Sequence, residues 1–295
     1  MEGKSRMIEE IQIDEQVETH TRAKEVPEDG NSHGVPWDGL DPATMPGHWL
    51  LAQLGKRVLR PGGKHLTDSL LAAVNITPAD LVVEFAPGLG YTTRKTLARN
   101  PLFYTAIERD TNAATRVRRF LPDVNSICRV ADAADTGLPP ESTTVVYGEA
   151  MLTMQPEAKK HRIVKEAFRL LYPGGRYGIH ELLLTPDDIS KEKKSEINSA
   201  LSKSIRVGAR PLTAGEWKAL LVSEGFKIEA METAPMHLLR FPRMLSDEGF
   251  VRTLRIIFNV IRKPTARSRV LDMRRTFQRY EDPLAAVMMT ARKPQ

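Results

Sequence analysis

The stretch Leu81 to Thr93, LVVEFAPGLGYTT, decides the fold. Leu81, Val82 and Val83 form an apolar run of strand character that delivers an acid, Glu84, into a Pro-Gly-x-Gly turn, and helix-compatible sequence resumes at Thr92-Thr93. A strand, a glycine loop and a helix start predict a first β-α unit. Gly88 and Gly90 let the backbone turn tightly and approach a ligand, while free N–H groups at the helix N-terminus face the same space. An ordinary tight turn has the same local pattern, so the rest of the chain must choose between the two readings.

Downstream, strand and helix patterns alternate. Leu102 to Ile107 reads as a second strand ending in Glu108-Arg109-Asp110, Ala113 to Leu121 as a helix, and Ser126 to Ala131 as a third strand ending at Asp132. Ser142 to Tyr147 is a fourth strand running into Gly148-Glu149. Pro156 to Tyr172 has one apolar helical face, which Pro173-Gly174-Gly175 is expected to stop before a fifth strand from Arg176 to His180. A charged helix over 187–209, with Lys191, Lys193 and Lys194 exposed, a helix over 214–225 and strands over 226–231 and 284–290 complete the pattern. The alternation predicts an α/β fold, a three-layer, Rossmann-like, doubly wound sheet. Upstream, Trp49, Leu50, Leu51, Leu54, Val58 and Leu59 recur at helical spacing until Pro61-Gly62-Gly63, and Leu66 to Val74 resumes the helix. These two helices form an expected cap at 36–76, with His48-Trp49 as a candidate aromatic wall and plain packing of Trp49 as the alternative.

At 295 residues the chain has material for a sizeable core. No window approaches the roughly 18 apolar residues of a membrane span, and the first thirty residues carry no apolar signal core, so a cytoplasmic protein is expected. The single cysteine, Cys128, excludes an intrachain disulfide and a multi-cysteine metal site; lying in an apolar stretch, it reads as buried packing. Residues 1–35 read as a disordered acidic tail, and residues 36–295 as one domain. Residues 1–30 carry nine acids and four bases, so with +6 overall the remainder holds about +11. Arg240 to Tyr280 alone has eleven Arg or Lys against Asp247, Glu248 and Asp272, within a basic helical insertion at 237–282. Such charge suits nucleic acid, an anionic membrane surface or an acidic small molecule without choosing among them.

In an open parallel sheet, ligands bind beyond the carboxyl ends of the strands. Glu84, Glu108, Asp132, Glu149 and the pair His180-Glu181 all stand at those ends. Glu108 follows Gly90 by eighteen residues and closes the second strand, where a carboxylate can accept both hydroxyls of a ribose.

The run VVEFAPGLGYTT, then AIERD, VADAADTGLP and LLYPGGRYGIHE resembles the ordered motif series of class I S-adenosylmethionine-dependent methyltransferases, over about residues 65–235. The resemblance implies a seven-stranded sheet whose last strand is antiparallel, a cofactor-binding core at 77–185 and substrate-side elements at 186–295. It implies S-adenosyl-L-methionine as cofactor: Glu84 for the methionine amino group, Ala86, Gly88 and Gly90 as the floor under methionine and ribose, Glu108 for the ribose hydroxyls, Arg109 flanking the adenine, and Asp132 with Ala133 reading its edge. Ala86 stands where the family usually has its first glycine; a methyl group is tolerable there if the local φ is negative. Dinucleotide-dependent oxidoreductases share the strand, loop and later acid, but no third glycine follows Gly90.

Methyl transfer needs the acceptor held in line and, where it carries a proton, a base. Glu149 is the first candidate to face the acceptor and His180 or Glu181 the second, since alternation sends that pair to opposite sheet faces. RNA adenine dimethyltransferases share the glycine loop, yet they need a polar and aromatic clamp after the fourth strand, where this chain reads Tyr147-Gly148-Glu149-Ala150-Met151. The expected acceptor is therefore an O, N or C atom of a small, partly apolar metabolite, with RNA, or a non-catalytic cofactor-binding regulatory or membrane-surface module, as alternatives. Leu254, Ile256, Ile257, Val260 and Ile261 form an apolar stripe among Arg252, Arg255, Arg262 and Lys263: a lid, a lipid-touching surface or a solvated helix. Met236, Met244 and Met273 with Phe241 and Phe250 suit an adaptable pocket or core packing equally. The sequence is compatible with a homodimer.

Overall fold

A computed structural model describes residues 35–295. The expected acidic tail, apart from Val35, lies outside the described residues. The elements run α1 (Gly47–Gln53), α2 (Gly63–Val74), β1 (Leu81–Phe85), α3 (Tyr91–Leu97), β2 (Phe103–Glu108), α4 (Thr111–Arg118), β3 (Ser126–Val130) and β4 (Thr143–Glu149). They continue with α5 (Glu157–Leu170), β5 (Leu171–Leu184), α6 (Lys191–Ile205), β6 (Leu212–Thr213), α7 (Ala214–Ser223), β7 (Lys227–Pro235), α8 (Phe241–Glu248), α9 (Phe250–Arg262), α10 (Pro264–Arg279) and β8 (Leu284–Arg292).

The sheet order is β3-β2-β1-β4-β5-β8-β7, with the two-residue β6 paired to β5. The first five strands pair in parallel, and β8 runs antiparallel to both β5 and β7. Strand order reverses between β1 and β4, so a crevice opens beyond their carboxyl ends. Period-two alternation sets the two layers. Val83 and Phe85 pack with Ile163, Val164, Trp217 and Leu221 of α5 and α7, whereas Val82 packs with Leu66, Leu70 and Leu71 of α2. Cys128 lies in that second core, and burial pushes its thiol up to about 11, as suits a packing residue.

Three boundaries depart from the sequence reading. Helix α1 stops at Gln53 because the chain turns at Gly55, φ +104°, so Val58 is buried from a loop rather than a helix face. Helix α5 ends at Leu170, before Pro173-Gly174-Gly175; β5 begins at Leu171, and Thr143 pairs Leu171 while Val145 already pairs Arg176, so the glycines form a bulge inside the strand. Lys194 is half-buried, its ammonium on Glu216 of the α7 capping box.

The insertion is three helices rather than one. In α9 the predicted stripe splits: Ile256 is buried and Val260 half-buried, while Leu254 and Ile261 face outward. Among the described residues no helix is long and apolar enough to cross a membrane.

Candidate functional site

A cavity of about 600 Å³ lies over the carboxyl ends of β1, β2 and β4, a size ordinary for a small-molecule site. One end is polar and lined by Ala86, Gly88, Glu108, Arg109, Asp110, Asp132 and Ala133; the other is apolar and lined by Trp49, Leu51, Leu182, Leu201, Ile205, Met236, Met273 and Phe277. His48 and Trp49, the candidate aromatic wall, both line the cavity, their ring centroids 4.5 Å apart. Burial pulls the His48 imidazole down to about 4, with Asp110 working the other way, so the ring is neutral at pH 7. Of the proposed pocket methionines, Met236 and Met273 line the cavity. Met244 does not, and Phe241 and Phe250 are exposed on the outside of the molecule.

The glycine loop divides its work. Gly88, φ +58°, faces open space: an added Cβ would meet nothing nearer than the Ala86 carbonyl oxygen at 4.0 Å. Gly90, φ +72°, is packed tight, for a Cβ there would fall 1.9 Å from Phe120 Cζ. Ala86 does not have the negative φ that would make its methyl group comfortable. It sits at φ +51°, a left-handed conformation that costs an L-residue about 1–2 kcal/mol.

Glu108 braces this loop. Its Oε2 accepts from Gly88 N–H at 3.0 Å and its Oε1 from Asp110 N–H at 2.9 Å, and burial raises its carboxyl against the pull of those bonds. Asp132 accepts from Ala134 N–H at 2.9 Å and pairs with Lys159 Nζ at 2.5 Å. Burial alone would raise its carboxyl; Lys159 and the Ala134 N–H outweigh it, and it titrates low.

Glu84 and Gly90 are not among the cavity-lining residues. Glu84 lies beneath the loop, where one oxygen, Oε2, accepts from Thr93 Oγ1 at 2.9 Å, Tyr104 Oη at 2.5 Å and Tyr147 Oη at 2.7 Å. Burial, against those three donors, raises its carboxyl to about 7. The sequence reading placed Tyr104 and Tyr147 in strands without a role beside Glu84; both share Glu84's side of the sheet, which strand parity alone could have flagged.

Glu149 reaches the cavity wall but is heavily engaged. It accepts from Thr67 Oγ1 at 2.6 Å and from Thr92 Oγ1; its Oε1 lies 2.7 Å from His180 Nδ1 and its Oε2 3.3 Å from Arg60 Nε. Burial would raise its carboxyl, yet Arg60 and the bonds from His180 and Thr67 hold it at about 2. His180 is fully buried, and its Nε2 lies 2.5 Å from the Pro61 carbonyl oxygen. Both ring nitrogens are therefore engaged by oxygen atoms of the protein. Glu181 points to the opposite face, as alternation requires. It accepts from the N–H groups of Met151, Leu152 and Thr153 at 2.7–3.0 Å and from Thr153 Oγ1 at 2.7 Å, which fixes the cavity-lining loop after β4.

The cation Arg60 was not anticipated. It lines the cavity with Nε and Nη1 buried and lacking a hydrogen-bond partner among the described residues, and stacks 5.3 Å over the Tyr91 ring. Only its place beside the Pro61-Gly62-Gly63 break could have marked it.

A family model described as a methyltransferase domain matches residues 83–179. A Haemophilus influenzae protein described as uncharacterized is 31% identical over 242 residues, spanning 80% of this chain and 92% of its own. The 27-O-demethylrifamycin SV methyltransferase of Amycolatopsis mediterranei is 25% identical over 171 residues, 57% of this chain and 61% of its own. Among solved structures, Haemonchus contortus phosphoethanolamine N-methyltransferase 2 in complex with phosphomonomethylethanolamine and S-adenosylhomocysteine superposes with a TM-score of 0.64 at 16% identity, covering 88% of this chain and 60% of that one.

Proposed function

Because the chain belongs to the class I S-adenosylmethionine-dependent methyltransferases, we propose that it methylates an O, N or C atom of a small, largely apolar molecule held in the far end of the cavity. The observation that carries this reading is the two-ended lining: acids and a bare Gly88 at one end, and side chains such as Leu182, Leu201, Met273 and Phe277 at the other. S-Adenosylmethionine is the cofactor, and the residues present fit it. Gly88 leaves space that a side chain would fill, and Glu108 and Asp132 stand at successive strand ends for ribose and adenine. The Arg60 guanidinium, ion-paired to Glu149 through Nε, keeps a buried Nη1 without a hydrogen-bond partner among the described residues that suits a carboxylate. Bound there, the cofactor supplies an electrophilic methyl group on a positively charged sulfur.

We assign Glu149 and His180 to positioning rather than proton abstraction. A carboxyl held near 2 is a weak base at neutral pH, and both nitrogens of His180 are spent on Glu149 and Pro61. Alignment inside the apolar chamber supplies the acceleration, and orientation alone reaches roughly 7–11 kcal/mol in favourable cases. Among the described residues His48 is the histidine that lines the chamber, and with its imidazole held at about 4 it too is a weak base at neutral pH, so the reading rests on alignment. An RNA acceptor fits less well: the Tyr147 hydroxyl is bonded to Glu84 and Thr96 beneath the loop, away from a base-stacking role. Calorimetry with S-adenosylmethionine and S-adenosylhomocysteine, then labelled-methyl transfer into small-molecule, RNA and lipid extracts, tests the reading. Absence of binding to either compound, or label appearing only in RNA, overturns it.

A further inference from the structure

The insertion between β7 and β8 turns two of its acids, Asp247 and Glu248, onto the protein and leaves a set of apolar and basic groups of α8 and α9 facing outward. Asp247 accepts from Lys64 N–H at 3.0 Å, and Glu248 accepts from the N–H groups of Arg57 and Val58, both at 2.9 Å. Of the three acids between residues 240 and 280, Asp272 alone is exposed, 3.1 Å from Arg275.

Helix α9 docks on the end of α1 through Ile256, which is 3% exposed, and Asn259, whose Nδ2 donates to the Leu54 carbonyl at 3.0 Å. Away from that contact Phe250, Val251, Leu254, Phe258 and Ile261 are 63, 80, 48, 55 and 60% exposed. At about 100° per residue these five fall within one arc of about 100°. Phe241 and Leu245, one turn apart on the adjoining α8, are exposed as well. A contiguous apolar patch of this kind marks a contact surface, whereas singly scattered apolar residues do not. The exposed bases Arg262 and Lys263 border it.

We propose that the outer face of α8 and α9 docks on an anionic lipid bilayer, from which the apolar acceptor enters the cavity. Charge selects this occupant. Asp247 and Glu248 are turned onto the protein, so the bases beside the patch, Arg262 and Lys263, face solvent without an acid from α8 or α9; anionic headgroups complement them, and the Phe250 and Phe258 rings reach the acyl boundary. The geometry links the surface to the chamber: α10 packs beside α9 and presents Met273 and Phe277 to the apolar end of the cavity. Entry of the acceptor rests on the methyl-transfer reading; docking does not.

Flotation of the full chain with vesicles tests it, using phosphatidylcholine alone and phosphatidylcholine with phosphatidylglycerol. The chain should float with the mixed vesicles and bind neutral ones at least about tenfold more weakly, and Arg262→Glu with Lys263→Glu should cost at least about tenfold. Leu254→Glu with Phe258→Glu should abolish flotation while affinity for S-adenosylhomocysteine by calorimetry stays unchanged, which shows an intact fold. No flotation of the wild type, or flotation that survives Leu254→Glu with Phe258→Glu, overturns docking and leaves the methyl-transfer reading standing. A dimer in sedimentation velocity that the same pair dissolves assigns the face to a second copy and also overturns it. Loss of cofactor binding in the wild type would strike the methyl-transfer reading alone.

Discussion

Replacing Glu84 by glutamine should change how stability depends on pH, by an amount the structure sets. In the fold the Glu84 carboxyl titrates at about 7, because complete burial outweighs three hydroxyl donors; in the unfolded chain it returns to about 4.5. The folded state therefore binds this proton more tightly. The stability it contributes is fully present below 4.5 and is lost as pH rises through 7. Between pH 5 and pH 8 the loss integrates to about 2.5 kcal/mol. In Glu84→Gln that slope disappears, while the amide oxygen still accepts from Tyr104 and Tyr147. Melting temperatures of both proteins from pH 5 to pH 8 should diverge, the wild type falling relative to the variant by roughly 5–10 °C. Glu149, which titrates near 2, adds almost no pH dependence over this range. A wild-type-minus-variant difference that stays flat from pH 5 to pH 8 would refute the reasoning, because the three hydroxyls would then have cancelled the cost of burial.

Glu108→Ala should weaken binding of S-adenosylmethionine by about 1–3 kcal/mol in calorimetry, the usual worth of hydrogen bonds to a charged group; unchanged affinity would show the ribose site is misplaced. Gly88→Ala and Gly90→Ala should separate by readout. The first directs a methyl group into open cavity and should reduce cofactor affinity with only about 1 kcal/mol of stability lost, whereas the second collides with Phe120 and should lower the melting temperature strongly. Glu149→Gln leaves Arg60 and His180 without their carboxylate and should cost about 3–5 kcal/mol in chemical denaturation at pH 7, and the wild-type advantage should fade as pH drops below 4.5 towards 2. Equal stability of the two proteins at pH 7 would mean that the buried cluster is replaceable.

The layer architecture was legible because each strand of the core is an apolar run closed by an acid, a signal that survives errors of several residues at the boundaries. Glu84, Glu108, Asp132 and Glu149 could be placed at strand ends from spacing alone, and parity put His180 and Glu181 on opposite faces. Spacing carried no information about partners. Thr67, Thr92, Arg60 and His180 converge on Glu149 from α2, α3, the loop before α2 and β5, and no local pattern links residues 60, 67, 92, 149 and 180. The α9 stripe failed for a related reason. Apolar residues at helical spacing signal burial only when one arc holds them all, and here Ile256 and Leu254 lie on different arcs, one on the protein and one on water.

The hardest feature to anticipate was the sign of a backbone angle. Ala86 and Ala150 follow the last residues of β1 and β4, line the cavity, and share left-handed φ values of +51° and +53°. Each donates its N–H one step beyond the ladder, Ala86 to the Ile107 carbonyl at 2.8 Å and Ala150 to the His180 carbonyl at 2.7 Å, and the chain then folds back over the sheet end. Glycine could adopt this geometry without strain, but it costs about 0.5–1 kcal/mol of unfolded-chain entropy relative to alanine, which offsets about half of the strain it relieves. The Ala86 methyl group also packs against the core between the sheet and α5, a contact glycine cannot make. Glycine at the first loop position is therefore one solution to a backbone requirement rather than the requirement itself. The positive φ and the freed crevice it creates matter, and alanine meets both.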